Sequence, residues 1–239
     1  LRLVKFAGGQ FDNVICSRCD AVVALPAGTG DDFAAFVREF DGILKNEYAV
    51  TDPGVALECV PSSADRAVSP ERTAVLLRAL AVLPHGVEAM DTDFPGLVQT
   101  SLNMGVVRLD DAGLHVTFSI RSSIASRKEM LAQRVRAAAE LAGGTVTERG
   151  VYPGWQYRRD SQFRETLLAA YKDLTGKDGV VEATHGGLEC GLFMEKLPGL
   201  DAVSLGPDIP DIHSVRERLG VSSVARTYAL VCEVLRRSV

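Results

Sequence analysis

Two extended segments joined by a four-residue turn constrain this chain more than any other feature. Residues 97–109 and 114–121 read as strands, and Asp110-Asp111-Ala112-Gly113 between them is turn chemistry ending in glycine. The second strand alternates without a break. Leu114, Val116, Phe118 and Ile120 face one way, while His115, Thr117, Ser119 and Arg121 face the other. A strand pair with one apolar face needs something to cover it, and helical segments are at hand on both sides. Residues 31–45 place Phe33, Phe36, Val37, Phe40 and Leu44 on one helical face. A second helix, ending near Leu83, opens on Ser69-Pro70-Glu71, which combines an N-cap, a proline in the first turn and an early acid. A third, residues 126–142, stops at Gly143-Gly144. Further strands are expected within residues 1–25, broken at Gly8-Gly9, and at 55–60 and 145–151. The order interleaves helices with antiparallel strands. It predicts a two-layer α+β domain, a mostly antiparallel sheet with helices on one face, over residues 1–155.

Tyr152-Pro153-Gly154-Trp155 forms a rigid turn at which the pattern changes. Beyond it, Phe163, Leu167, Leu168, Tyr171 and Leu174 stripe a helix ending at Gly176. Strands are expected at 180–183 and 202–205, a short helix at 188–196, and a last helix from about Ser222 that buries Tyr228, Val231, Cys232 and Leu235. This alternation has α/β character, yet residues 156–239 are few for an independent α/β sheet domain. They read as the C-terminal part of an incomplete domain. The chain also opens inside a strand pattern at Leu1-Arg2-Leu3-Val4, which reads as a cut from something longer.

Composition narrows the partners. The 239 residues carry a net charge of -5, and no segment supplies the basic face that nucleic acid requires. No run approaches the ~20 apolar residues of a membrane span. Five cysteines, an odd number scattered through apolar segments, suit a reducing cytoplasm.

Several residues can carry chemistry, and each has a plain structural alternative. Cys16 and Cys19 point to opposite faces of an extended strand and cannot chelate without a turn, so packing is the better reading. Asn13, following a Gly-Gly turn, either stabilises that turn or meets a ligand. Arg121 leaves its strand into Ser122-Ser123; its planar fork can clamp a carboxylate, or it can remain a solvated edge charge. In Thr184-His185-Gly186-Gly187-Leu188-Glu189-Cys190-Gly191, glycines at a helix start expose backbone N–H groups to an anion or a carbonyl, with Gly187 serving through its backbone. Gly206-Pro207-Asp208-Ile209-Pro210-Asp211-Ile212-His213-Ser214 carries one histidine on a constrained loop. Imidazole is the commonest metal ligand, yet a zinc site needs at least three protein ligands. Locally that site is incomplete.

Taken in order, Gly8-Gly9 with Asn13-Val14-Ile15, Thr100 to Val107, Ile120-Arg121-Ser122-Ser123, Tyr152 to Trp155, Thr184 to Gly191, and Gly206-Pro207 with His213-Ser214 resemble the aminoacyl-histidine dipeptidases. These enzymes, also called Xaa-His dipeptidases, are two-zinc exopeptidases related to aminoacylase and carnosinase. The resemblance covers nearly the whole chain. It departs at Val215, where the family usually has proline, and at Asn13-Val14-Ile15-Cys16, where the usual ending is Ala-Ile-Pro.

The resemblance implies a catalytic domain interrupted by a lid, or dimerisation, domain. Residues 1–155 would be the lid without its first part, and residues 156–239 the C-terminal segment of the catalytic domain. His213 would ligate one of two zinc ions per subunit. Asn13 and Arg121 would bind the dipeptide's terminal carboxylate, and Gly187 would touch substrate through its backbone. The general base and the other ligands would lie upstream, leaving no catalytic residue in this chain, no bound zinc and no activity on its own. A homodimer through the lid, a small dipeptide substrate and a cytoplasmic location follow from the same resemblance. Two alternatives stand beside it: a non-catalytic dimerisation or peptide-binding module, and a relative that hydrolyses N-acyl amino acids.

Overall fold

The structure is a computed structural model, described for residues 1–238. Five strands form one sheet: β1 (Arg2–Gly8), β2 (Cys19–Ala24), β3 (Gly86–Met90), β4 (Val98–Asp110) and β5 (Gly113–Ser122). Six helices accompany them: α1 (Gly30–Glu47), α2 (Pro70–Val82), α3 (Ala125–Leu141), α4 (Gln162–Thr175), α5 (Glu189–Lys196) and α6 (Val221–Arg237). The sheet runs in the order β2-β1-β4-β3, and β5 also pairs with β4. A strand has only two edges, so the long β4 shares one of them between two partners. Its pairing with β1 is correspondingly brief and antiparallel, at Ala7↔Arg108 and Gly8↔Val107. β1 pairs antiparallel with β2 across an irregularity between Leu3 and Lys5. This antiparallel sheet with helices is the α+β arrangement expected.

Two compact units divide the chain. One comprises Leu1–Gly86, Leu102–Ser119 and Ala132–Val146; the other comprises Val87–Ser101, Ile120–Leu131 and Thr147–Val239. Cuts fall inside β3, β4, β5 and α3. In the first unit Leu3, Leu76, Leu102, Val107, Val135 and Ala138 are buried. Thr73 of α2 is buried with them, its hydroxyl accepting from the Leu3 N–H at 3.1 Å, while the Leu3 carbonyl accepts from Val68 N at 2.7 Å. The polar groups of this buried stretch of β1 are thereby satisfied, as burial demands. In the second unit Leu131, Ala170 and Val234 are buried, together with Thr100, Ser161 and Ser223.

Where local signals are complete, the elements form as expected. Ser69 caps α2 by accepting from Arg72 N at 3.2 Å, with Pro70 in the first turn. Ser161 caps α4 in the same way, and Gly176 ends it in the left-handed conformation. The hairpin β4–β5 turns at Asp110, whose carboxylate accepts from the N–H groups of Ala112 and Gly113. Strand β3 lies outside the sequence expectation, because Pro84-His85-Gly86 reads as a stop and the run after it is short.

Four expected strands do not form: 55–60, 145–151, 180–183 and 202–205 are without strand structure. A strand exists only with a ladder partner, and no described segment pairs with any of the four. Near the first, Leu57 N instead donates to the Asp41 carboxylate at 2.7 Å. One helix face also needs correction. On α6 the expected buried residues are exposed, Tyr228 by 72% and Leu235 by 61%, with Val231 and Cys232 also exposed. Its covered side is instead Ser223, Thr227, Leu230 and Val234, at helical spacing, of which Ser223 and Val234 are buried. On α1 no residue is buried; Phe36 and Phe40 stack on each other with centroids 6.0 Å apart, and both are exposed. Among the described residues no helix is long and apolar enough to cross a membrane.

Candidate functional site

Asn13 sits in the first unit, on the loop between β1 and β2, and is exposed. The loop's shape comes from β4. Asn103 donates both amide hydrogens, to the carbonyls of Asp12 at 2.7 Å and Val14 at 2.9 Å, and so holds the chain on each side of Asn13. Two residues on, Gly105 lets the loop lie directly on the strand. A Cβ there would fall 2.4 Å from the carbonyl oxygens of Phe11 and Asp12. Sequence reasoning missed both supports. The signal was present in Asn103-Met104-Gly105, an amide and a glycine inside a strand, where each is disfavoured.

The second unit holds the other three candidates. Arg121 lies near the end of β5, exposed, and its guanidinium makes no hydrogen bond or ion pair among the described residues. The strand end beside it is fixed by the Ser122 hydroxyl, 2.8 Å from that of buried Thr100 on β4. The Ser122 hydroxyl also accepts from Ile124 N at 3.0 Å. Tyr152-Pro153-Gly154-Trp155 packs onto this corner backbone to backbone: a Cβ on Gly154 would stand 2.6 Å from the carbonyl oxygens of Ser122 and Ser123. Lys128 of α3 donates to the Tyr152 carbonyl and holds the turn from the helix side.

Gly187 faces the same turn. A Cβ there would lie 2.7 Å from two carbons of the Tyr152 ring, so no larger residue fits without displacing the tyrosine. The neighbouring His185 is half-buried, its Nε2 2.7 Å from the Ser101 hydroxyl on β4. Burial pushes the His185 imidazole below its ordinary value, and the charge of Arg121 pushes it the same way; the polar backbone at Val98 opposes both. The result favours a neutral ring at pH 7. Strand β4 thus connects the corner beside Arg121 to the turn that carries Gly187. Chemically this is an uncommitted guanidinium near a neutral imidazole and a glycine turn, which suits a carboxylate or carbonyl oxygen.

His213 stands apart on its own loop, which is tightly formed. Asp211 and His213 both take positive φ, 58° and 64°. Non-glycine residues rarely adopt this region, and such strain gathers at functional sites. The loop is held by His213 N donating to Glu217 at 2.8 Å, Ser214 Oγ donating to the Asp211 carbonyl at 2.7 Å, and the Arg218–Asp211 ion pair at 2.9 Å. No three His, Cys, Asp or Glu side chains among the described residues gather closely enough to hold a metal ion. Cys16 and Cys19 are free, as are the other three cysteines.

Comparison with known proteins adds independent weight. No family model matches the sequence. The chain is 34% identical over 237 residues to the cytosol non-specific dipeptidase of Escherichia coli (strain K12), a match covering 99% of this chain and 49% of that protein. The crystal structure of aminoacylhistidine dipeptidase from Vibrio alginolyticus superimposes with a TM-score of 0.90 at 31% identity, over 99% of this chain and 48% of that one. Aminopeptidase PepT from Bacillus cereus shares the fold alone, with a TM-score of 0.50 at 20% identity over 67% of this chain. The chain spans about half the length of the first two proteins. Over that half, in sequence and in fold, it is homologous to the cytosol non-specific dipeptidase and aminoacylhistidine dipeptidase.

Proposed function

We propose that this chain belongs to a zinc-dependent dipeptidase that hydrolyses Xaa-His or related dipeptides. In this reading residues 1–155 form the lid and residues 156–239 the C-terminal segment of the catalytic domain. Arg121 and Asn13 bind the dipeptide's terminal carboxylate, Gly187 contacts substrate through its backbone, and His213 contributes one ligand to a metal pair whose other ligands come from outside these 239 residues. The observation that carries the reading is the agreement at 34% identity over 99% of the chain with a dipeptidase. The joining of Arg121's corner and Gly187's turn through β4 supports it. The name of the Escherichia coli protein and the odd cysteine count support a cytosolic location. A homodimer through the lid fits the apolar side of α1, none of which is buried. None of these roles is that of a general base, so the isolated chain is expected to be inert.

The test compares this chain with the product of the complete reading frame. Zinc content, hydrolysis of Gly-His and carnosine, and hydrolysis of N-acyl amino acids are measured for both. Dipeptide turnover by the complete product alone supports the reading. Turnover only of N-acyl amino acids would transfer the protein to the related hydrolases, and tight zinc binding with turnover by this chain alone would overturn the division of the site.

A further inference from the structure

One hydrogen bond at an imidazole decides where the Thr184–Gly187 turn sits. The turn has little internal support: Gly186 N donates to Thr184 Oγ1 at 3.3 Å, and the residues around it belong to neither strand nor helix until α5 begins at Glu189. Its attachment to the sheet is the imidazole of His185. Nε2 lies 2.7 Å from the hydroxyl of Ser101, 84 residues earlier in the chain. Ser101 is on β4. Thr100, the residue before it, bonds the Ser122 hydroxyl next to Arg121. Alternate residues of a strand point to opposite faces. Thr100 and Ser101 therefore hold two different things from adjacent positions, the Arg121 corner and the His185 turn.

We propose that His185 and Ser101 are positioning residues, whose hydrogen bond fixes the Gly187 backbone relative to Arg121 so that the two meet one carboxylate-bearing ligand together. The proposal rests on the dipeptidase reading for the identity of the ligand, but the positioning itself does not. Neither residue is placed in contact with substrate. Their role is to remove freedom from a turn that would otherwise have to be ordered by the ligand, a cost that would appear as weaker binding.

Two measurements separate the claims. In this chain, backbone order parameters of Gly186 and Gly187 are measured by ¹⁵N relaxation in the parent, Ser101→Ala and Ser101→Thr. Leu131 and Ala170, both fully buried, serve as references for the unit as a whole. Expected values fall from about 0.85 toward about 0.6 at the two glycines in Ser101→Ala, stay near the parent in Ser101→Thr, which keeps the hydroxyl, and do not change at the references. No change at the glycines, or an equal fall at the references, overturns the proposal. If Ser101→Ala does not fold, His185→Leu, which has no group to pair with the hydroxyl, gives the same readout with the strand intact. In the complete product, Ser101→Ala should raise KM for Gly-His about tenfold with kcat little altered, and Ser101→Thr should restore it. A fall in kcat with unchanged KM contradicts positioning for binding. Loosened glycines together with no dipeptide hydrolysis by the parent would refute the dipeptidase reading and leave the positioning standing.

Discussion

At the scale of single residues, the close contacts make definite statements. Asn103 gives both amide hydrogens to carbonyls flanking Asn13, so Asn103→Leu removes two donors and keeps the side-chain size. The expected cost is about 1–2 kcal/mol in urea unfolding, with faster amide exchange confined to residues 10–16. Gly187→Ala pushes a methyl into the Tyr152 ring and should cost about 1–3 kcal/mol. Shortening the tyrosine in the double variant Gly187→Ala with Tyr152→Ala should recover part of that cost, a coupling read from the double-mutant cycle. The partners of two of the supports were illegible in the sequence for a simple reason, even where, as at Asn103, the residue itself stood out. Asn103 reaches Asp12 across 91 positions, and Ser101 reaches His185 across 84. No local pattern encodes such pairs, whereas the motifs around Arg121 and Gly187 announce themselves by type and spacing.

Among the elements, legibility followed self-sufficiency. Helix α2 carries its own cap and proline, α4 its own cap and terminal glycine, and the β4–β5 hairpin its own turn and alternating face; all three were readable. The segments 180–183 and 202–205 have strand-like composition but depend on a partner strand, and composition cannot supply one. Helix α6 shows the intermediate case: its limits were readable, but its packed face was not. An apolar stripe states that a surface is suited to burial, and says nothing of whether a neighbour is present. The side carrying Ser223, Thr227, Leu230 and Val234 is covered instead, and the helix packs against α4. The Arg237 guanidinium bonds Asp173 of α4 at 2.7 Å as well as Glu233 at 2.7 Å. Arg236 and Arg237 hold the Glu233 carboxyl down at about 2, from its ordinary 4.5. A carboxyl depressed in the folded state adds stability that is complete above its unfolded value and is lost as pH falls through its folded value. Helix α6 should therefore weaken between about pH 4.5 and pH 2. Replacement by Glu233→Gln should flatten that part of the acid-unfolding curve followed by circular dichroism.

Over the whole molecule, the apolar surface is the dominant fact. Val221 is 80% exposed, and Val224, Tyr228, Val231 and Leu235 extend the same side of α6. Contiguous apolar surface of this kind marks contact with another polypeptide or a tendency to associate. Charging it with Tyr228→Lys and Leu235→Lys should reduce light scattering by the isolated chain. The unfolding free energy should change by no more than about 0.5 kcal/mol, as for ordinary surface positions. Little change in scattering, or a large loss of stability, would show that this side of α6 is already engaged.

The central claim is that Arg121, beside the His185 turn, receives the carboxylate of a dipeptide. Its guanidinium is free of other bonds among the described residues, so replacement should leave the fold unchanged and act on binding. The direct measurement is steady-state hydrolysis of Gly-His by the complete product carrying Arg121→Leu. A rise in KM of about a hundredfold or more is predicted, the loss of a charge-assisted, bidentate contact. An unchanged KM would contradict the account.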